Sequence, residues 1–241
     1  MKLNPIYRND LRFRLTSPRA ISLFTVYLSL LGVLAMLALP PEVGRIDELR
    51  REGLLRVMLI TQMVLVAYFT SAAACGEIAM DGEKSAWDLA TAPFPSWVIA
   101  RGKVAVSLAF AATMMLAGVP IVTMIAAIRG ETLGPIARAP VVGLPFAMGM
   151  GALGALYGAS FDSDFARSFV HWLTLVTLVV ASTALPSPWN LISPVRALTV
   201  AAQGLRADIL LVAAAYLLLA VAAAAALRAR SDTIKREAEA K

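Results

Sequence analysis

The chain has 241 residues, of which 59% are apolar and only 16% charged, with a net charge of +6 and a mean hydropathy of +0.73. A soluble domain carries about a quarter of its residues charged, so this composition leaves too little polar surface for a water-exposed fold and excludes an ordinary soluble protein. The positive balance calls for no nucleic-acid partner, because membrane proteins gather Lys and Arg on their cytoplasmic side.

The first twenty residues, "MKLNPIYRNDLRFRLTSPRA", set Ile6, Leu11 and Phe13 among Arg8, Arg12, Arg14 and Arg19. That pattern suits a short helix lying on the membrane, its arginines against lipid phosphates. It also suits a basic leader that merely obeys the positive-inside rule. Pro18 is expected to break the segment from the first apolar run.

Six such runs occur, at Ile21–Leu39, Leu54–Cys75, Val104–Ile128, Val141–Ser160, Phe169–Leu185 and Ile209–Leu227. Each has the roughly 17–25 residues that a spanning helix needs. None shows the alternation of a transmembrane barrel, so the expected fold class is all-α, a polytopic membrane protein with six spans. The first run ends in Pro40-Pro41 with no A-x-A site, and is expected to be retained rather than cleaved as a signal peptide. Cys75 is the single cysteine, so no internal disulfide forms and the redox compartment stays open.

With the N-terminus inside, the cytoplasmic segments hold fourteen basic residues and the outer ones eight. The first outer loop runs against the trend with Arg45, Arg50, Arg51 and Arg56, whereas both ends of the chain are basic. Both termini are therefore expected in the cytoplasm, with residues 1–241 forming one membrane domain and residues 228–241 a short polar tail.

Residues 76–103, "GEIAMDGEKSAWDLATAPFPSWVIARGK", interrupt the hydrocarbon between the second and third runs. Ser85 and Asp88 have capping-box spacing, so a short helix is expected to start there. Pro93 and Pro95 should stop it, and Ser96 offers a second N-cap for a helix that continues into the third span. Arg101 and Lys103 sit where they can snorkel to the headgroups. A plain inner loop with tryptophan anchors reads equally well from pattern alone. "DGEKS" is no phosphate-binding loop, because G-x-x-x-x-G-K-[ST] requires Gly directly before Lys, and Glu83 stands between them. ATP hydrolysis is not expected of this chain.

Inside the membrane, Gly143, Gly151, Gly154 and Gly158 lie in a run of small residues four apart or nearly so. That spacing lets helices approach closely, at a seam between spans or between subunits. Pro120 and Pro145 can kink their helices. His171, the one histidine, lacks the neighbours of a metal site, and Asp162, Asp164 and Arg167 read as a charged turn. The stretch from Pro186 to Asp208 looks like a pair of re-entrant or interfacial helices on the outer face.

The interrupting segment resembles that of the integral-membrane permeases of type-2 ABC transporters. The matching residues are Glu83, Ser85, Asp88-Leu89-Ala90-Thr91-Ala92-Pro93 and Gly102-Lys103, and "NPIYRND" is similar to the family's N-terminal segment. Lys84 stands where the family has Gly before the Thr, and Ala90 where it has a second Leu. The resemblance implies an N-terminal connecting helix and a cytoplasmic coupling helix that docks on separate ATPase subunits. Glu83, Ser85, Trp87, Asp88, Leu89, Thr91 and Pro93 would then face the ATPase, while Arg8, Arg12, Arg14, Arg101 and Lys103 anchor to the membrane interface. It further implies ATP and Mg on the partner ATPase and no cofactor or metal in this chain. A second copy or a similar permease would complete the unit, in the inner (plasma) membrane. Two other classes stay open from the residues: a non-transporting membrane assembly subunit, and an intramembrane hydrolase, for which no G-x-S-x-G nucleophile motif is found.

Overall fold

The computed structural model describes residues 7, 11–12, 15–38, 53–79, 94–161, 163–186 and 189–240. Its helices are α1 (Pro18–Ala38), α2 (Leu54–Ala79), α3 (Ser96–Arg129), α4 (Gly134–Ser160), α5 (Asp164–Val179), α6 (Pro194–Gln203) and α7 (Ala207–Glu239). Single 3-10 turns lie at Ala181–Ala184 and Trp189–Ile192, and no strand occurs among the described residues. All but α6 are long and apolar enough to cross a bilayer, α5 together with the 3-10 turn after it. The protein is an all-α, multi-pass membrane protein, because a helix is the one open segment that satisfies its own backbone in hydrocarbon.

Local chemistry sets the helix ends. Ser17 Oγ accepts from the Ala20 N–H at 3.2 Å and Pro18 takes the first helical position, so the expected break falls at Ser17–Pro18. Arg12, before it, is helical and exposed, whereas Arg8 and Arg14 lie outside the described residues. At the end of α3, Gly130 adopts the left-handed conformation (φ 65°), and the N–H groups of Gly130 and Glu131 close on Ala127 and Ala126. In α7, the Asp208 carboxylate accepts from the Ile209 N–H at 3.1 Å in the first turn.

Several boundaries differ from the apolar runs. The third helix runs from Ser96 through the run at Val104, as the helix expected to lead into that span does. The fourth, in contrast, begins at Gly134 rather than Val141, Pro135 supplying a preset φ in its first turn. The fifth begins at Asp164 rather than Phe169 and ends at Val179, with a 3-10 turn in place of its last residues. The sixth does not stop at Leu227: α7 stays helical to Glu239, so the polar tail continues the span. Hydropathy finds what must sit in hydrocarbon, whereas a helix persists wherever its backbone bonds and caps continue. At 1.5 Å per residue, the 34 residues of α3 span about 51 Å. Both α3 and α7 therefore overrun a hydrocarbon core of about 30 Å.

The core gathers around α4, 67% of whose span is buried, against 22% for α1 and 24% for α5. α4 packs chiefly on α2 and α7. Phe110 meets Phe24 edge-on with ring centres 5.5 Å apart, and Phe146 meets Tyr216 at 5.1 Å. Between α5 and α7, the turn at Trp189–Ile192 is held by the Tyr216 hydroxyl, which donates to the Ile192 carbonyl, and α6 leads from it into α7. A short 3-10 turn and a ten-residue α-helix thus occupy the stretch expected to hold a helix pair.

Candidate functional site

One end of the bundle brings together the end of α2, the start of α3, the end of α4, the start of α5 and the last turns of α7. The interrupting segment joins α2 to α3 at this end. Its residues Glu83, Ser85, Trp87, Asp88, Leu89, Thr91 and Pro93 lie outside the described residues, which resume at Phe94.

The corner that leads into α3 is built on Pro95, whose φ of −57° and ψ of 142° turn the chain. Its carbonyl accepts from the N–H groups of Val98 (2.9 Å) and Ile99 (3.4 Å). Ser96, expected as the N-cap, is instead the first helical residue. Pro95 occupies the cap position, and the buried Ser96 hydroxyl has no hydrogen-bond partner among the described residues. One turn on, the Arg101 guanidinium lies 5.3 Å from the centre of the exposed Trp97 ring, a cation–π contact. Lys103 is partly buried in the next turn.

Two cations of α7 reach this end. Arg230 Nε donates to the Ala159 carbonyl in the last turn of α4 at 3.2 Å. Lys235 Nζ donates to the Phe94 carbonyl at 2.6 Å, across 141 positions of sequence.

A cavity of about 230 Å³ opens between α2 and α5, lined by Tyr68, Cys75, Arg167, His171 and Trp172 among others. Arg167 is 5% exposed. Its Nη1 lies 3.0 Å from the Asp164 carboxylate, and its Nε donates to the Phe161 carbonyl at 2.7 Å. The His171 ring stacks on Tyr68 at 5.2 Å and Trp172 tilts against the same ring at 5.3 Å. His171 Nε2 is buried without a hydrogen-bond partner among the described residues. The charged turn is thus the first turn of α5, with Arg167 directed inward, while Asp162 lies outside the described residues.

Deeper in the bundle all four glycines are buried, and Gly143, Gly151 and Gly154 face neighbouring spans of the same chain. A Cβ on Gly151 would meet Ser107 Cβ at 2.6 Å and Thr70 Cγ2 at 2.9 Å, and one on Gly154 would meet the Ser71 carbonyl oxygen at 2.3 Å. Gly143 faces the end of Met115, 3.0 Å from where its Cβ would lie, and Gly158 is buried one turn past Gly154.

Sequence reasoning missed the pairing of Tyr68 with His171 and Trp172, the inward Arg167, and the grip of Arg230 and Lys235. One signal was available for the last: "LRARSDTIKREAEAK" keeps Leu227, Ser231 and Ile234 at helical spacing, and these are the buried positions. No protein-family model matches the chain, and no curated protein matches it.

Proposed function

We propose that this chain is the membrane-spanning permease subunit of an ATP-driven transporter of the type-2 ABC class, working as an exporter. Separate ATPase subunits carry ATP and Mg, and a second copy or a similar permease completes the unit. The membrane is the inner (plasma) membrane, and both termini are cytoplasmic. The resemblance of residues 83–103 supports this reading, and one structural observation carries it. α3 is a single helix that begins directly after the proline corner and continues to Gly130 at the far end of the bundle.

A continuous helix delivers a push at its end along its axis, because its backbone bonds act in series. In α3 the series is interrupted only at Pro120, which has no N–H to donate. ATPase subunits that close around ATP displace the segment before Phe94, and α3 carries that displacement to the spans packed on it, α4, α2 and α7. Alternation between inward- and outward-facing packings of these helices then moves the cargo. Arg101 and Trp97 hold the helix at the headgroup level, where an amphipathic ring and a snorkelling cation are both stable.

The test is purification of the full chain from its own membrane, with native mass and ATP hydrolysis measured on the product. The expected particle holds two permease chains and two ATPase subunits and hydrolyses ATP. A single permease chain with no ATPase sinks the reading.

A further inference from the structure

Past the hydrocarbon, α7 keeps one face buried through Leu227, Ser231 and Ile234, at steps of four and three residues. Ala100 in the second turn of α3, Ala155 near the end of α4 and Ala74 near the end of α2 pack with Leu227. Beside that face, Arg230 and Lys235 each donate to a backbone carbonyl of a different element. The Ala159 carbonyl belongs to the last turn of α4, where carbonyls lack partners within the helix and carry its partial negative charge. A cation there is stabilised on both counts. The Phe94 carbonyl belongs to the corner that opens α3.

We infer that Leu227–Lys235 is a strut that fixes the corner at Phe94–Ser96 against the end of α4, and that Lys235 is a positioning residue for that corner. Without Lys235 the corner reaches α4 and α7 only through the packing of α3 on them. Tied through Lys235, it moves with them, so a push on the segment reaches α3, α4 and α7 as one body. The strut stands on geometry alone, and its link to ATP rests on the transporter reading.

Hydrogen–deuterium exchange of the full chain in lipid nanodiscs tests the strut. The reporters are the amides of Val98 and Ile99, which bond to the Pro95 carbonyl. In Lys235→Met these amides are expected to exchange at least about tenfold faster, the factor that a hydrogen bond from a charged donor carries. Lys235→Arg should return them toward the wild-type rate, and amides of α1 should not change in either variant. Wild-type rates at Val98 and Ile99 in Lys235→Met overturn the strut. Acceleration throughout the chain, α1 included, overturns the positioning role in favour of a general packing one.

A second arm measures transport-stimulated ATP hydrolysis by the ATPase that co-purifies with each variant. A loss of at least about fivefold in Lys235→Met with the ATPase still bound supports the role, because a mere docking contact would lower binding instead. Loosened amides with undiminished hydrolysis overturn Lys235 as a positioning residue. If no ATPase accompanies the wild-type chain, the transporter reading fails, and the exchange rates alone decide the strut.

Discussion

Gln62 Nε2 lies 2.9 Å from the Met115 carbonyl oxygen and so ties the middle of α2 to the middle of α3. The Tyr27 hydroxyl of α1 accepts from the same nitrogen at 3.3 Å, which gathers three spans at one buried amide. The knot has room only because residue 118 has no side chain: a Cβ there would lie 2.3 Å from the Tyr27 hydroxyl and 2.6 Å from Gln62 Nε2.

Two substitutions should therefore differ in size. Gln62→Leu keeps the volume and removes both interhelical hydrogen bonds, of which the stronger is worth about 0.6 to 1.7 kcal/mol inside a membrane. Gly118→Ala forces both polar ends aside and should cost more, on the order of 1–3 kcal/mol, as overpacking does. Thermal unfolding in detergent micelles ranks them, and a milder effect for Gly118→Ala would contradict the close packing.

A second contrast lies between glycines. Gly154→Ala meets the Ser71 backbone oxygen, which cannot swing away, so α2 and α4 must part and stability should fall by roughly 1–3 kcal/mol. Gly32→Ala has nothing within 4 Å to meet and should be neutral, or stabilising by less than about 1 kcal/mol. Equal midpoints for the two variants would refute the seam.

The Arg167–Asp164 pair is lopsided, with side chains 6% and 94% exposed. Asp164→Asn should cost less than about 1 kcal/mol, because water already screens that carboxylate. Arg167→Met also strips the half-buried Phe161 carbonyl of its charged donor and should cost more, about 1.5–3 kcal/mol. The ordering of the two unfolding midpoints is the check, and equal losses would show that Arg167 serves only its surface partner.

Topology is open to labelling. Single cysteines at Asp47 and Glu83, in a Cys75→Ala background, should react with a membrane-impermeant maleimide from opposite faces, Asp47 from outside and Glu83 from inside. Reaction of both from one face would remove the proposed orientation.

If residues 76–103 dock on an ATPase subunit, Trp87→Ala with Asp88→Lys should release it while the chain still inserts and pairs. Loss of an interface aromatic commonly costs ~2 kcal/mol, roughly thirtyfold in affinity, and the reversed charge adds repulsion. Pull-down and ATP hydrolysis in reconstituted vesicles measure it. Unchanged association and stimulation would leave residues 76–103 an ordinary loop.

The spans were legible because a bilayer accepts little except about twenty apolar residues in helical form, and the runs from Leu54, Val104, Val141 and Ile209 lie within α2, α3, α4 and α7. Their ends were less so. The first turns of α3 and α5 carry Arg101, Lys103, Asp164 and Arg167, which hydropathy counts as loop although the helix includes them. Gln62 was visible as the one amide in its run, but its partner is a backbone carbonyl, which has no sequence signature. Lys235 and Phe94 meet for the same kind of reason: a charged tail says that a donor exists, and only the packing of α7 on α3 says where it goes.

The separation of Lys235 from Phe94 also has a meaning in time. A ribosome adding about 5–20 residues per second makes Lys235 some 7 to 30 s after Phe94, since 141 positions lie between them. Throughout that interval the return into α3 is present in the membrane without its strut. A partner that recognises the tied corner would meet it only on chains whose last span is already in place, and the order of synthesis would then delay its binding until the bundle is whole.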